Sequence, residues 1–403
     1  MIIAHKIALK LNVQQRIYCA RGAGTARFAW NWALHEWKQS YEAGDKVSEA
    51  GLRKRLNAIK REQFPWMLEV TKVAPQQAIK NLGTAFTRFF TGKSKYPQPK
   101  RKGQHDSFRA DNGPGTFTVT GRRLKLPVVG VIKMREELRF IGKPLSVTIS
   151  READRWFAAI AVEVAMAVEH TAQTSENQAV CGVDLGISRL ATISDGTIYR
   201  ATHALRREIR KLRRGSRRLS RKQKGSKNRG KAKHRLAKLH ARIVHVRRDS
   251  LHKLTTDLTR RFATVVTYDL NVKGMMANRK LARAIADVGM YEFRRQLSYK
   301  AEMQGVRVVI ADRFFPSSQL CSTLGCEGRA VGLGLAVRSW TCSGCNTTHD
   351  RDLNAAKNLE RYSTVSSTGI NACGAGSSVA PGQPGRRSPA LKQESNVVIN
   401  DYI

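Results

Sequence analysis

Four cysteines near the C-terminal end are the clearest candidates for chemistry. Cys321 and Cys326 are separated by four residues, Cys342 and Cys345 by two, and the two pairs by fifteen. Two such pairs can place four thiolates around one tetrahedral ion, and closed four-sulfur sites hold zinc for structural rather than catalytic purposes. In a reducing compartment this cluster favours metal over disulfides. The first pair is looser than the common two-residue spacing, because Leu324 stands where a tight knuckle would have its second thiol.

Carboxylates occur at two other places where they could do chemistry. Asp184 lies in VCGVDLGI, an apolar strand with a single acid. Burying a lone carboxylate is costly unless it binds something, although bonds to backbone amides at the strand end are an alternative. In HDRDLNAAKNL, Asp350 could cap a helix with Asp352 in its first turn, and acids favour such positions for ordinary reasons. The presence of both segments in one chain favours a chemical role for these acids more strongly than either segment does alone.

The charge of the chain indicates its partner. The 403 residues include 72 Lys or Arg against 31 Asp or Glu, a formal net charge of +41. Repulsion among so many like charges works against a compact state, so we expect a polyanion, nucleic acid, to be bound. We find no apolar run of about 18 residues and no signal-peptide pattern, which predicts a cytoplasmic protein with no membrane partner.

A basic segment concentrates this charge. Between Arg206 and Arg248 there are 20 Lys or Arg and one acid, Glu208. Leucines and isoleucines recur at helical spacing on both sides of GSKNRGK, which predicts a helical hairpin over 204–250 with a cationic outer face. Such a surface would bind phosphates without reading sequence. The candidate contacts are Arg206, Arg210, Arg213, Arg217, Arg221, Lys227, Lys231 and Arg235.

The remaining elements suggest several parts. Residues 11–106 are mainly helical by periodicity, whereas 1–10 and 107–166 alternate as strands of a small sheet or barrel. From 179 onward strands alternate with helices, which predicts a mixed α/β sheet. Residues 363–403 are rich in Ser, Gly, Pro and Asn, and we expect a disordered tail.

Several of these segments resemble the transposon-encoded TnpB family, the small relatives of type V CRISPR effectors. They include GVDLGI, a strand with an acid followed by LN, FPSSQLCS and WTCSGCNTTHDRDLNAAKNL; ARFAWNWAL and RRLKLPVVGVIK resemble the N-terminal parts. The resemblance implies an RNase H-like (RuvC-like) nuclease domain over 179–317 and 347–362, with the hairpin inserted. It also implies a zinc ribbon over 318–346, a helical recognition lobe over 11–106, and a small β-barrel from 1–10 and 107–166.

The family resemblance implies an RNA-guided DNA endonuclease that uses a noncoding guide RNA against a target DNA. By this resemblance Asp184 and Asp352 hold a catalytic Mg²⁺, which activates water and stabilises the leaving oxygen of a phosphodiester. Lys72 and Gln76 would help to read a short DNA motif beside the target, although helix-surface residues of these types need no such role.

One position departs from the family. Its middle acid is a Glu where this chain has Tyr268. A phenol with a pKa of about 10 is a poor ligand for Mg²⁺ at neutral pH. Asp269 is the next residue, but successive strand side chains point to opposite faces, so it is a weak alternative. Glu292, on the following helix, could supply the missing carboxylate if that helix packs over the site.

Three interpretations follow for the family function. The first, slightly favoured, is an active endonuclease with a relocated third ligand. The second is an RNA-guided DNA binder without cleavage, acting for example as a repressor, and the third is a decaying transposon gene. From other classes, a DNA-strand transferase and an RNA-independent DNA-binding protein remain as alternatives.

Overall fold

The computed structural model describes residues 2–111, 117–164, 179–334 and 336–367. Its N-terminal half begins with a strand and three helices: β1 (Ile2–Lys10), α1 (Val13–Glu42), α2 (Glu49–Gln63) and α3 (Val73–Phe90). Asn12 and Gln15 form a capping box at the start of α1, and the Ser48 side chain caps α2. These caps satisfy amides that have no partner within the helix, so they fix where each helix begins.

The strands that follow join β1 in one antiparallel sheet. They are β2 (Ser107–Asp111), β3 (Thr118–Thr120), β4 (Arg123–Leu126), β5 (Gly130–Met134), β6 (Lys143–Glu152) and β7 (Arg155–Glu163). The strand order is β2-β6-β7-β1-β5-β4-β3, so the N-terminal strand joins the later ones as predicted. Among the described strands, β2 and β3 form the edges of this sheet, and its strands are those of the predicted small sheet or barrel.

The helices and this sheet share one hydrophobic core. Phe108 and Ile149 of the sheet belong to the same buried cluster as Ala26 of α1 and Leu82 of α3. At Gly22 a side chain would meet the Phe108 ring at 2.9 Å, so α1 can lie this close to β2 only with glycine there. The predicted helical lobe and strand region are thus packed into a single unit.

The C-terminal half contains a second sheet. Its elements are β8 (Val180–Leu185), β9 (Arg189–Ile193), β10 (Ile198–Arg200), α4 (Ala204–Ser220), α5 (Lys227–Arg261), β11 (Thr264–Tyr268), α6 (Val272–Ala277), α7 (Ala282–Val288), α8 (Met290–Gln304), β12 (Arg307–Ala311), β13 (Ser339–Thr341), β14 (Thr348–Asp350) and α9 (Arg351–Ser367). Five strands pair in the order β10-β9-β8-β11-β12. Strand β11 pairs in parallel with β8 and β12, whereas β9 pairs antiparallel with both β8 and β10. This arrangement confirms the predicted mixed α/β sheet.

Different helices cover the two faces of this five-stranded sheet. Cys181 and Val183 of β8 pack into the cluster that α5 and α8 provide. Tyr268 of β11 packs on the other face with Leu359 of α9. At Gly182, on that same face, a side chain would collide with the α9 backbone, so α9 lies directly against β8. The face on which a side chain lies therefore decides which helix it can meet.

The helical segment after α6 is divided at Gly289, whose φ of +77° suits glycine, into α7 and α8. Two boundaries differ from those predicted. The second hairpin helix continues past residue 250 to Arg261, because its last turns pack under the sheet. Helix α9 extends to Ser367, into the range expected as a tail, and residues 368–403 lie outside the described residues. Among the described helices, none has the length and apolar character to cross a membrane.

Candidate functional site

The two predicted catalytic acids meet where α9 covers the end of β8. Asp184 is near the end of β8, and Asp352 is in the first turn of α9. Burial, and then the negative charge of Asp352, raise the pKa of Asp184 to about 7. Positive charges of Arg351 and Arg338 act in the opposite direction. The charge of Asp352 thus opposes ionisation of Asp184, and a cation beside the two carboxylates, the acidic pair, would relieve that repulsion.

Two arginines flank Asp352. The Arg189 Nη1 atom lies 3.7 Å from Asp352 Oδ2, and Arg338 Nη1 lies 3.6 Å from Asp352 Oδ1. Arg189 is on β9, whereas Arg338 comes from the segment just before β13. Only 17% of the Asp352 side chain is exposed, so these guanidinium groups face a carboxylate with little water around it. Sequence patterns gave no signal for either arginine.

Asp350 has the capping role that we predicted. Its Oδ1 atom accepts hydrogen bonds from the backbone N–H groups of Asp352 and Leu353, both at 3.1 Å. Arg189 Nη1 donates to both oxygens of Asp350 at 3.0 Å. Asp350 therefore fixes the start of α9, and with it the position of Asp352.

Tyr268 stands beside this pair. Its side chain is partly buried against Leu359, and burial together with the charge of Asp184 raises its pKa well above the usual range of a phenol. The hydroxyl therefore stays protonated at neutral pH. Tyr268 therefore cannot supply negative charge at the position where the family resemblance implies a carboxylate.

Neither predicted replacement for that carboxylate reaches the site. Glu292 lies on α8, across the sheet from α9, and accepts hydrogen bonds from Arg295 and Gln296 at 2.7 and 2.9 Å. Asp269 is bound by Arg294 and Arg313 at 2.6 and 3.2 Å, and regular pairing of β11 with β12 through Tyr268 leaves no bulge that would turn it around. The expectation that Glu292 relocates the third ligand is wrong, because the sheet separates it from Asp184.

The four predicted zinc ligands come together. The sulfur atoms of Cys321, Cys326, Cys342 and Cys345 all lie within 4.8 Å of one another. The Sγ–Sγ distances are 3.6 Å from Cys321 to Cys345 and 3.7 Å from Cys326 to Cys342, close to the ~3.8 Å that tetrahedral zinc–sulfur geometry requires. No other group of three or more His, Cys, Asp or Glu is this close within the described ranges. Leu324 is 86% exposed, so the longer turn bulges outward and lets Cys326 reach the cluster.

Hydrogen bonds around the sulfur atoms suit thiolates. The backbone N–H groups of Thr323, Gly328 and Gly344 approach the sulfur atoms of Cys321, Cys326 and Cys342 at 3.4 to 3.5 Å. The buried His349 places Nε2 3.1 Å from Cys321 Sγ and packs against Trp340. The backbone N–H donors stabilise sulfur-bound negative charge, and contacts such as that of His349 orient the ligands. The residues therefore fit a structural zinc ion.

Sequence reasoning missed two asparagines that join the cysteine module to the acidic pair. Asn354 and Asn358, one turn apart on α9, each donate to the backbone oxygens of Ser317 and Leu320, at 2.7 to 3.2 Å. Asn354 Oδ1 also accepts from Ser322 N–H at 2.9 Å. The amide spacing in DLNAAKNL is the signal that could have revealed them. These bonds hold the first cysteine turn against the helix that carries Asp352.

The predicted nucleic-acid contacts occupy exposed positions. All eight basic residues named on the hairpin are exposed. Arginines of α4 and its C-cap, including Arg210, Arg213, Arg217 and Arg221, line one open groove, the α4 groove. A thin apolar stripe that contains Leu212 and Ile243 joins α4 to α5, as predicted. Lys72 is exposed just before α3, and Gln76 is half-buried in its first turn.

Comparison with solved structures shows which known fold this chain resembles. The chain is similar to the protein in a cryo-EM structure of a Cas12f1–sgRNA–target DNA complex, with a TM-score of 0.51, 14% identity, and coverage of 86% of this chain and 83% of the other. At this identity the likeness concerns the fold alone. The class is that of the Cas12f-like folds.

Sequence comparisons then identify the family. A model described as "Probable transposase" (OrfB_IS605) matches residues 163–279, one for a Cas12f1-like TNB domain matches 291–359, and one for a helix-turn-helix domain matches 1–46. A protein of Streptomyces pristinaespiralis, named as a candidate RNA-guided DNA endonuclease, is 36% identical over 94% of this chain and 93% of its own length. InsQ of Escherichia coli K12, with the same description, is 31% identical over 96% and 97%. The chain belongs to the TnpB family.

Proposed function

We propose that this protein binds a noncoding guide RNA and the DNA that the guide matches, and that Tyr268 suppresses cleavage of the bound DNA. The +41 net charge and the exposed arginine groove support nucleic-acid binding. The names of the relatives support RNA guidance. In this proposal the five-stranded sheet is an RNase H-type nuclease domain, and the protein works in the cytoplasm.

The acidic pair fits a magnesium ion only in part. Asp184 and Asp352 offer the oxygen ligands that Mg²⁺ prefers, and their mutual repulsion favours a cation between them. An ion held there supplies Lewis acidity for phosphodiester hydrolysis. Among the chain's own residues, Arg189 and Asp350 hold Asp352 in place through the start of α9.

The position of Tyr268 is the observation that carries the proposed loss of cleavage. It lies on the α9 face beside Asp184, where the family resemblance implies the middle carboxylate, and its raised pKa keeps it neutral. Asp269 and Glu292 are committed to arginines on the other face. The site therefore has one negative charge fewer than the family's centre, and we expect weaker metal binding and slower hydrolysis.

Mg²⁺-dependent cleavage by Asp184 and Asp352 alone is the second candidate function. The observation that favours it is the intact pairing of these two carboxylates at the start of α9. Under this alternative, Tyr268 would act only as a neutral neighbour of the ion.

Cleavage assays distinguish the two candidates. The protein is expressed with the noncoding RNA encoded beside its gene, and the complex is incubated with Mg²⁺ and a plasmid that carries a matched target. We expect target binding without cuts from the wild type, and cuts from Tyr268→Glu. Tyr268→Gln controls for size without charge, and Asp184→Ala in the Tyr268→Glu background should abolish the cuts.

Each result has one interpretation. Cuts by the wild type that disappear in Asp184→Ala would establish the second candidate. If the protein binds its noncoding RNA no better than an unrelated RNA of equal length, RNA guidance itself fails.

A further inference from the structure

A cluster of aromatic rings lies at the C-terminal end of α3, far along that helix from Lys72. The Trp37 and Phe86 rings are stacked at 4.3 Å, and Phe86 and Phe89 each meet Tyr96 edge-on at 5.6 and 5.4 Å. Phe90 packs beside Phe86 and Phe89. The inner rings are at least partly buried, but Phe90 is 61% exposed and Tyr96 is 40% exposed. Two rings of the cluster thus present surface to solvent.

The segment that carries Tyr96 is fastened to α1. The Trp30 indole donates to the Gln98 carbonyl at 3.1 Å, and Asn31 exchanges two hydrogen bonds with the Lys100 backbone at 2.7 and 3.0 Å. Lys100 Nζ also lies 4.1 Å from the centre of the Trp30 ring. Tyr96 is therefore held in place, and a ligand that stacks on it loses little freedom in the protein.

The same segment is strongly basic. Residues 88–102, RFFTGKSKYPQPKRK, contain six Lys or Arg and no acid. Lys93 and Lys95 are exposed and lie in the chain between Phe90 and Tyr96. Exposed rings interleaved with cations match the way in which proteins bind single-stranded nucleic acid, where bases stack on rings and phosphates pair with lysines.

We propose that Phe90 and Tyr96 stack on unpaired bases of a single nucleic-acid strand, while Lys93 and Lys95 bind its phosphates. The inference deepens the proposed function, since it adds a contact to bases where the hairpin contacts phosphates. An apolar protein partner is a poorer fit, because the lysines between the two rings would have to lose water without receiving a counter-charge. A duplex is also a poorer fit, because its bases are already stacked on each other.

The test distinguishes protein contacts to the bases from protein contacts to the phosphate backbone. The full chain is titrated with a 20-nucleotide dT strand, with a base-free strand of the same length and charge, and with the matching rU strand. We expect the wild type to bind dT more tightly than the base-free strand. Phe90→Leu and Tyr96→Leu should each reduce that preference by about tenfold. Tyr291→Leu, at a ring 60% exposed on α8, is the matched control and should leave it unchanged.

A second measurement addresses the lysines. Lys93→Ala with Lys95→Ala should reduce the salt dependence of dT binding by about 1.4 in log–log slope, whereas the two leucine variants should leave the slope unchanged. The rU arm tells whether RNA or DNA is preferred at this surface.

Specific results would overturn the proposal. Equal binding of dT and the base-free strand by the wild type excludes stacking, as does an unchanged preference in both leucine variants. Because these strands need no guide, the inference can fail while binding of the noncoding RNA persists, and the reverse outcome would contradict only the proposed function.

Discussion

Asp184 and Tyr268 stand at the same level of two neighbouring parallel strands. Gly182 of β8 pairs with Val266 of β11, and each of the two residues follows two positions later on its own strand. A two-residue step returns to the same face, so both side chains point towards α9. Tyr268 therefore lies at the centre of the acidic site rather than at its periphery.

Raising the pH of a magnesium-free solution should destabilise the folded protein through Asp184. The pKa of this carboxyl is about 7 in the folded protein and about 3.9 in an unfolded chain, so the folded state holds the proton more tightly. The stabilisation is complete below about pH 4 and is lost as the pH rises through about 7. The melting temperature should fall between about pH 5 and pH 8, and Asp184→Asn should reduce the fall.

Asp269→Asn is the control for this titration. Arginine partners lower the pKa of Asp269, so its contribution is lost only in acid and its removal should not change the slope near neutrality. An undiminished slope in Asp184→Asn would contradict the assignment.

His349 should strengthen zinc binding without being a ligand. It lies 3.1 Å from Cys321 Sγ, and loss of such a supporting contact typically weakens metal affinity by about 10- to 100-fold. His349→Phe should therefore release zinc to a competing chelator at lower chelator concentration, from a wild type that holds about one ion per chain. His5→Phe, at a buried histidine of the other sheet, should behave like the wild type. If His349→Phe and His5→Phe retain zinc equally well, His349 does not strengthen zinc binding.

Removing the Asp350 cap should loosen the first turn of α9. Asp350→Ala leaves the Asp352 and Leu353 amides without their acceptor, at a cost of about 0.5 to 2 kcal/mol. Hydrogen exchange of these amides should accelerate accordingly. Asp350→Asn keeps a capping oxygen but not the charge that faces Arg189. We therefore expect the two amides to exchange at the wild-type rate in Asp350→Asn and faster in Asp350→Ala. Equal exchange in all three proteins would disprove the cap.

The α4 groove should determine the salt dependence of nucleic-acid binding. Replacing Arg213, Arg217 and Arg221 together by Gln should lower the log–log slope of affinity against salt by about 2 to 3. The matched control is a triple Gln variant of arginines that are already paired with carboxylates: Arg294, Arg295 and Arg313. A similar loss in both triples would mean that net charge alone, rather than the groove, is responsible.

Local patterns predicted much of this molecule. Cysteine spacing gave the four-sulfur cluster, leucine periodicity gave the hairpin, and apolar strands around Asp184 gave the mixed sheet, because each depends on residues close in sequence. The side of the sheet on which α8 packs depends on the path of the chain, and so the prediction for Glu292 was wrong. The pairing of Arg189 with Asp350 spans 161 residues and has no local signal.

Helix α5 is a single continuous helix that runs from the hairpin to the five-stranded sheet. Its 35 residues span about 52 Å without a break, with the basic surface on its first half and Leu251, Leu254 and Leu258 under the sheet on its second half. Each residue turns the helix by about 100°, so inserting one residue between the halves would rotate the arginines by that angle relative to the acidic pair. The angular position of the hairpin arginines about the α5 axis, and not their charge alone, would therefore set the direction of a strand bound to them.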